Sequence, residues 1–211
     1  GGLQCESGSA VVSNCILIGN SAALTGAGSY FGTLYNCYLT GNWSARYGGG
    51  SYLGTLYDCY LTGNRSARYG GGAHGSSLIN CTVSNNSAGS DGGAANGCTL
   101  TDCLISSNRA VYGGGVNSST VNNCTLVGNS ASTGGGGNSS DFYNCILYYN
   151  TAQNGSNYQG GTLNHTCTMP DTTSGMGNIT NEPLFVDYPG GDLRLQSNSP
   201  CINAGTNFYA P

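Results

Sequence analysis

Residues 29–50 read SYFGTLYNCYLTGNWSARYGGG and residues 51–72 read SYLGTLYDCYLTGNRSARYGGG; the copies differ only at Phe31/Leu53, Asn36/Asp58 and Trp43/Arg65. The repetition runs well beyond this pair. Cys15, Cys37, Cys59, Cys81, Cys103, Cys124, Cys145 and Cys167 stand in steps of 22, 22, 22, 22, 21, 21 and 22. Asn20, Asn42, Asn64, Asn86, Asn108, Asn129 and Asn150 keep the same step. An aliphatic residue follows each of the first seven cysteines by two positions, from Leu17 to Leu147, and an apolar residue precedes it by three, from Val12 to Phe142. A period of this length marks a solenoid, in which one unit cannot bury its apolar side alone and must stack on the next.

Within a unit, Cys and the residue at +2 share one face of a short strand, and the residue between them points away. Glycine runs at 48–50, 70–72, 113–115 and 134–137 exclude a useful helix from the rest of the unit. Leu34-x-x-Cys37-x-Leu39-x-x-Asn42 also fits the leucine-rich repeat. That template next requires an apolar residue two past the Asn and a convex segment able to be helical, where this chain has Ser44, Ser66 and glycine triplets. The expected fold is therefore all-β: a right-handed parallel β-helix of about nine coils, ~45 Å long at ~4.8 Å per coil. Residues 1–170 are expected to form its regular coils, and 171–211 less regular C-terminal coils of the same solenoid.

Only 7% of the chain is charged and lysine is absent, against about 25% charge in an ordinary soluble domain. Five basic residues against nine acidic ones leave no patch to neutralise phosphates, so nucleic acid is excluded as a partner. No apolar run approaches the ~18 residues of a membrane span. Eleven cysteines on a polar, lysine-free chain suggest export to an oxidising compartment, extracellular or at a cell surface. The start at Gly1 without methionine suggests a processed or excised product.

The pattern Leu39-Thr40-Gly41-Asn42, Ala45, Gly48-Gly49-Gly50 resembles the F-x-x-N and G-G-A-[ILV] repeats of polymorphic outer-membrane proteins and related secreted bacterial β-helix proteins of the pectate-lyase-like superfold. The first position here is Leu, Ile or Val, and the residue after the glycines is not regularly aliphatic. Asn181-Glu-Pro-Leu-Phe-Val-Asp187, Leu193-Arg-Leu195 and Ser199-Pro-Cys-Ile-Asn-Ala-Gly205 are similar to the last coils of many such proteins. The resemblance covers most of the chain and implies fold and export.

Chemistry-bearing residues are sparse. The cysteine ladder repeats singly, without the C-x₂-C pairs of a metal site, and is expected to be a stack of buried thiols. No metal or other cofactor is expected. Cys5, Cys98 and Cys201 stand off the ladder. Asp58 and Asp102 share one register two coils apart, in a column with Asn36, Asn80 and Asn123. They read as variants of an outward asparagine column, the alternative being an inverting carboxylate pair. His74-Gly75 matches the His-Gly of polygalacturonases without the aspartates that accompany it.

Tyr38, Tyr60, Trp43, Tyr47 and Tyr69 are expected to form an outward aromatic stripe, suited either to stacking on sugars or protein or to stabilising the sheet. Sequons mark Asn42, Asn64, Asn85, Asn117 and Asn138 as candidate glycosylation sites.

The function expected is that of a non-catalytic extracellular structural rod, with a secreted polysaccharide lyase or glycoside hydrolase and a glycan-binding adhesin as alternatives. The chain opens at a glycine turn without a capping helix, so either a piece is missing or another molecule covers that end. The expected partner is a second copy, stacked head to tail into a filament or surface layer. Cys5 and Cys201, at opposite ends of the rod, are then the candidates for an inter-subunit disulfide.

Overall fold

A computed structural model describes residues 1–169 and 175–209, so the boundary expected at 170/171 lies outside the described residues. One coil shows the pattern of the rest, with short strands at Ser51–Tyr52, Thr55–Tyr57, Tyr60–Thr62 and Arg65–Ser66. Each strand pairs in parallel with its equivalents one coil away. Leu56 sits between Leu34 and Leu78, and Leu61 between Leu39 and Val83. Stacking builds three eight-stranded parallel sheets and one of four strands. The chain is thus an all-β parallel solenoid of about eight turns with the 21–22-residue period read from the sequence. Among the described residues the only helical element is a short 3₁₀ turn at Asn207–Tyr209.

The alternation of strand side chains decides the interior. Leu34, Cys37 and Leu39 are fully buried, while Tyr38 between the last two is 45% exposed. Like residues stack on like in one continuous core from Leu34 to Leu163. Burying one such leucine contributes about 1.5–3 kcal/mol relative to leaving it in water. In the first coil, Val12, Cys15 and Leu17 hold the same places but are only half-buried.

Two kinds of corner turn the chain between sheets. At the glycine corner, Gly48 has φ 57°, a left-handed conformation that costs glycine no steric penalty. A Cβ on Gly50 would lie 2.5 Å from the carbonyl oxygen of Gly72 in the next coil, so this position has no room for any side chain. At the corner before each cysteine, Asn14, Asn36, Asp58, Asn80, Asp102, Asn123 and Asn144 all take φ between 50° and 55°. Asn and Asp are the non-glycine residues that visit this region most readily, which explains the column.

The C-terminal part departs from the expected further coils. Cys167 makes one parallel bridge to Ile179. Then Phe185–Asp187 and Asp192–Leu195 pair antiparallel across the turn Tyr188-Pro189-Gly190-Gly191, where Gly190 donates its N–H to Asp187 Oδ1 (3.0 Å). The Cys and Asn periods have ended by this point, so nothing specifies another coil. The following segment returns along the side of the solenoid. There Thr206 donates its N–H to Asn144 Oδ1 (2.9 Å) and accepts from Asn144 Nδ2 (2.8 Å). A cavity of about 350 Å³ lies between this segment and the last coils, lined in part by Cys145, His165, Cys167 and Cys201.

Candidate functional site

Every cysteine of the ladder faces inward, and from Cys37 to Cys167 all are buried. They do more than fill space. The backbone N–H of Cys37 donates to the sulfur of Cys59 and that of Cys59 to the sulfur of Cys81, both at 3.4 Å. The Cys59 thiol in turn donates to the carbonyl of Tyr57 (3.2 Å). Burial pushes the Cys145 thiol up to about 12, so the inner column holds neutral thiols. Since these thiols act as packing and hydrogen-bonding groups, their number ceases to argue for an oxidising compartment. All eleven cysteines are free.

A second ladder escaped the sequence reading. Ser76 donates its N–H to Cys98 Sγ (3.4 Å), Cys98 to Ser119 Oγ (3.1 Å) and Ser119 to Ser140 Oγ (3.1 Å). Cys98 therefore belongs to a column of its own, in which sulfur and hydroxyl oxygen are interchangeable. Cys5 packs against Gly32 near the first coil, where a Cβ on the glycine would lie 2.6 Å from its sulfur. Cys201 lies elsewhere, beside Cys167. Cys5 and Cys201 thus sit at different coils of one chain, and Cys201 has an intramolecular thiol neighbour. Interaction with Cys201 and burial raise the Cys167 thiol, whereas interaction with Cys167 lowers that of Cys201.

The asparagine ladder is internal as well. Asn42 and Asn64 are fully buried, and the Nδ2 of Asn42 donates to Leu17 O (2.8 Å) and Asn64 Oδ1 (2.9 Å). Asn117 is buried with its Nδ2 on Asn96 Oδ1 (2.8 Å), and half-buried Asn138 donates likewise to Asn117 Oδ1 (2.8 Å). The glycosylation expectation is corrected accordingly. In the folded chain the amides of Asn42, Asn64 and Asn117 are sealed and that of Asn138 is engaged, leaving Asn85 as the exposed member of the five.

The single aromatic stripe divides. Tyr38 and Tyr60 stack at 4.8 Å and 6°, with Tyr35 and Tyr57 stacked beside them across the asparagine corner at 4.8 Å and 8°. The turn at Gly41 and buried Asn42 carries Trp43 onto another sheet, where it sits in register with Arg65. Tyr47 and Tyr69 stack at 5.4 Å on the glycine corner, next to Tyr30, Tyr52 and His74. Sequence reasoning missed Tyr30, Tyr35, Tyr52 and Tyr57, although all four recur with the 22-residue step.

The glycine corner carries the densest surface chemistry. A depression of about 300 Å³ is lined by Tyr47, Tyr69, His74, Asp91, Asn96 and Asn117. His74 lies flat on Tyr52 (5.6 Å, 3°), and Asn96 Nδ2 donates to its Nδ1 (3.0 Å). Burial lowers the His74 pKa, favouring the neutral ring that this bond requires. The amide column Asn138, Asn117, Asn96 thus ends on an imidazole, which ends on a phenol ring. Such a surface offers amide and hydroxyl groups, one carboxylate and ring edges. Ring faces are mostly spent on one another.

Asp58 and Asp102 belong to the left-handed corner column. Asp58 Oδ1 accepts from Asn80 Nδ2 (2.6 Å), so the residue between the two acids is part of the same ladder. Among the described residues no three His, Cys, Asp or Glu side chains group as metal ligands, and no helix is long and apolar enough to cross a membrane. No protein-family model matches the chain, and a search of curated proteins finds no match.

Proposed function

We propose that the protein is a non-catalytic structural rod, exported from the cell and acting through its length and its side. One observation carries this reading: the polar and thiol side chains that recur along the chain are used to join coil to coil. Asn42, Asn64, Asn86, Asn108 and Asn129 each place an Oδ1 to accept, and an Nδ2 to donate, between consecutive coils. Asp58, whose Oδ1 accepts from Asn80 Nδ2, fits the same use. The repeats' resemblance to those of secreted bacterial surface proteins and the low charge favour an exported setting. End-to-end stacking of copies is part of the proposal.

Negative-stain imaging and light scattering of the purified protein test it, beside reducing-end release from a panel of polysaccharides. Filaments without cleavage are expected. Monodisperse monomers would remove the stacking part, and cleavage abolished by Asp58→Asn or Asp102→Asn would overturn the non-catalytic reading.

A glycan-binding role is the second reading. It rests on the depression at Tyr47, Tyr69, His74, Asp91, Asn96 and Asn117, since amides, a carboxylate and aromatic edges are groups that hydrogen-bond and pack against sugars. Binding to a glycan array that Tyr69→Ala abolishes would favour it over the rod alone.

A further inference from the structure

The chain seats one of its own segments on the asparagine corner, and the way it does so identifies a second, open seat. Asn144 clasps Thr206 by both backbone groups, Oδ1 to N–H (2.9 Å) and Nδ2 to C=O (2.8 Å). One coil earlier, Asn123 Nδ2 donates to the carbonyl of Tyr209 (3.3 Å), three residues after the clasped one. The Tyr209 ring packs on Tyr143, the residue before Asn144, at 4.6 Å and 39°. Asn144 is free to do this while still donating to Asn123 Oδ1 (3.0 Å), because an amide carries two N–H groups.

The same constellation recurs at the other end of the solenoid. Tyr35 precedes Asn36 as Tyr143 precedes Asn144, and Asn36 Nδ2 donates to Asn14 Oδ1 (2.7 Å) as Asn144 does to Asn123. Backbone angles agree: φ is 54° and 50° at Asn14 and Asn36, against 52° and 53° at Asn123 and Asn144. Asn14, Tyr35 and Asn36 are all exposed, whereas Tyr143, Asn123 and Asn144 are half-buried under the segment. Tyr35 has one face on Tyr57; the other faces the register of Ser13, which is small. Asn36 keeps one N–H and its Oδ1 for a ligand. At the intervening coils the set is incomplete: Asp58 and Asp102 have no N–H, and Asn80 follows Ile79.

We propose that Asn14, Tyr35 and Asn36 form a docking site for a short, uncharged peptide segment of a partner protein. The segment presents one residue whose N–H and C=O are clasped by Asn36, and an aromatic residue three positions later that packs on Tyr35. The chain's own Thr206–Tyr209 segment shows this chemistry in place. Exposed Tyr38 and Ile16 flank the site and supply apolar surface for neighbouring residues of the peptide.

The probe is a labelled peptide of residues 203–209, titrated against the full chain by fluorescence anisotropy. Saturable binding is expected, weakened about tenfold or more in Asn36→Asp, which loses the donor and turns a charge toward the peptide carbonyl. That variant keeps the backbone, since Asp58 holds the equivalent position. Tyr35→Ser should weaken binding as well. Absence of binding to the wild-type chain at millimolar peptide would overturn the proposal, as would equal binding to Asn36→Asp. Binding that depends on Asn144→Asp instead would also overturn it, by showing that the probe only displaces the chain's own segment or exchanges between copies.

Discussion

The Oδ1 of Asn86 accepts both the backbone N–H of Asn64 (2.8 Å) and its Nδ2 (3.0 Å), so one buried amide holds the next at two points. Asn64 repeats the arrangement toward Asn42 and gives its other N–H to the carbonyl of Leu39 (2.7 Å). Asn64→Ala leaves two donors of Asn42 unsatisfied in the interior and takes from the Leu39 carbonyl the second of its two bonds. At about 1–3 kcal/mol for each orphaned group, partly relaxed, the expected loss is about 3–5 kcal/mol in urea unfolding. Asn85→Gly next door, at an exposed position with φ 57°, should change stability by less than about 1 kcal/mol. Equal effects of the two would mean that the ladder does not hold the coils.

The corner column makes a different demand, on backbone rather than hydrogen bonding. Asp102 has φ 55° and is exposed. Asp102→Asn is expected to leave the melting temperature nearly unchanged, because Asn80 and Asn123 already fill that register on either side. Asp102→Val places a β-branched residue in the left-handed region and should cost about 1–2 kcal/mol. A stability drop in the Asn variant as large as in the Val variant would show that the carboxylate has a role beyond the turn.

The period was legible because Cys, Asn and Leu recur as the same letters; their burial then follows from strand alternation at Cys37, Tyr38 and Leu39. Three things were not legible. The second ladder uses Ser76, Cys98, Ser119 and Ser140, whose Oγ and Sγ do one job under two residue names. Trp43 and Tyr38 are five positions apart, and the turn between them, set by a buried amide, puts them on different sheets. The neighbourhood of Cys167 and Cys201 depends on a C-terminal segment with no period at all. Only tertiary packing brings those thiols together.

That thiol pair can be tested chemically. Cys201 is half-buried and the neighbouring Cys167 thiol lowers its pKa, while Cys145 is pushed up to about 12 by burial. In the native protein an alkylating reagent at pH 8 should therefore modify Cys201 faster than any thiol from Cys37 to Cys145. Cys201→Ser should remove that phase. Glutathione disulfide, reduced to two glutathione thiols, is expected to leave Cys167 joined to Cys201 within one chain. Peptide mapping would find that link, and non-reducing electrophoresis would show monomers. A reductant-sensitive ladder of multimers would instead favour the Cys5 to Cys201 joint.

His74 gives the glycine corner a pH dependence of definite sign. Its ring lies on Tyr52 and accepts from Asn96, and burial holds its pKa below the ordinary 6.5. As pH falls through about 6.5 the unfolded chain takes up a proton that the folded chain still refuses, so the unfolded state gains stability. The contribution of His74 is therefore complete above that pH and is lost as pH falls below it toward the lower folded value. Melting temperature should decline between pH 7.5 and 5. His74→Asn, which continues the amide column of Asn96 and Asn117 with a group that does not titrate, should flatten the decline. Asp91 is the other acid or base lining the depression, and Asp91→Asn serves as the control. If the slope survives His74→Asn and disappears in Asp91→Asn, the titrating group is the carboxylate, and the stacked imidazole is not what makes this corner sensitive to acid.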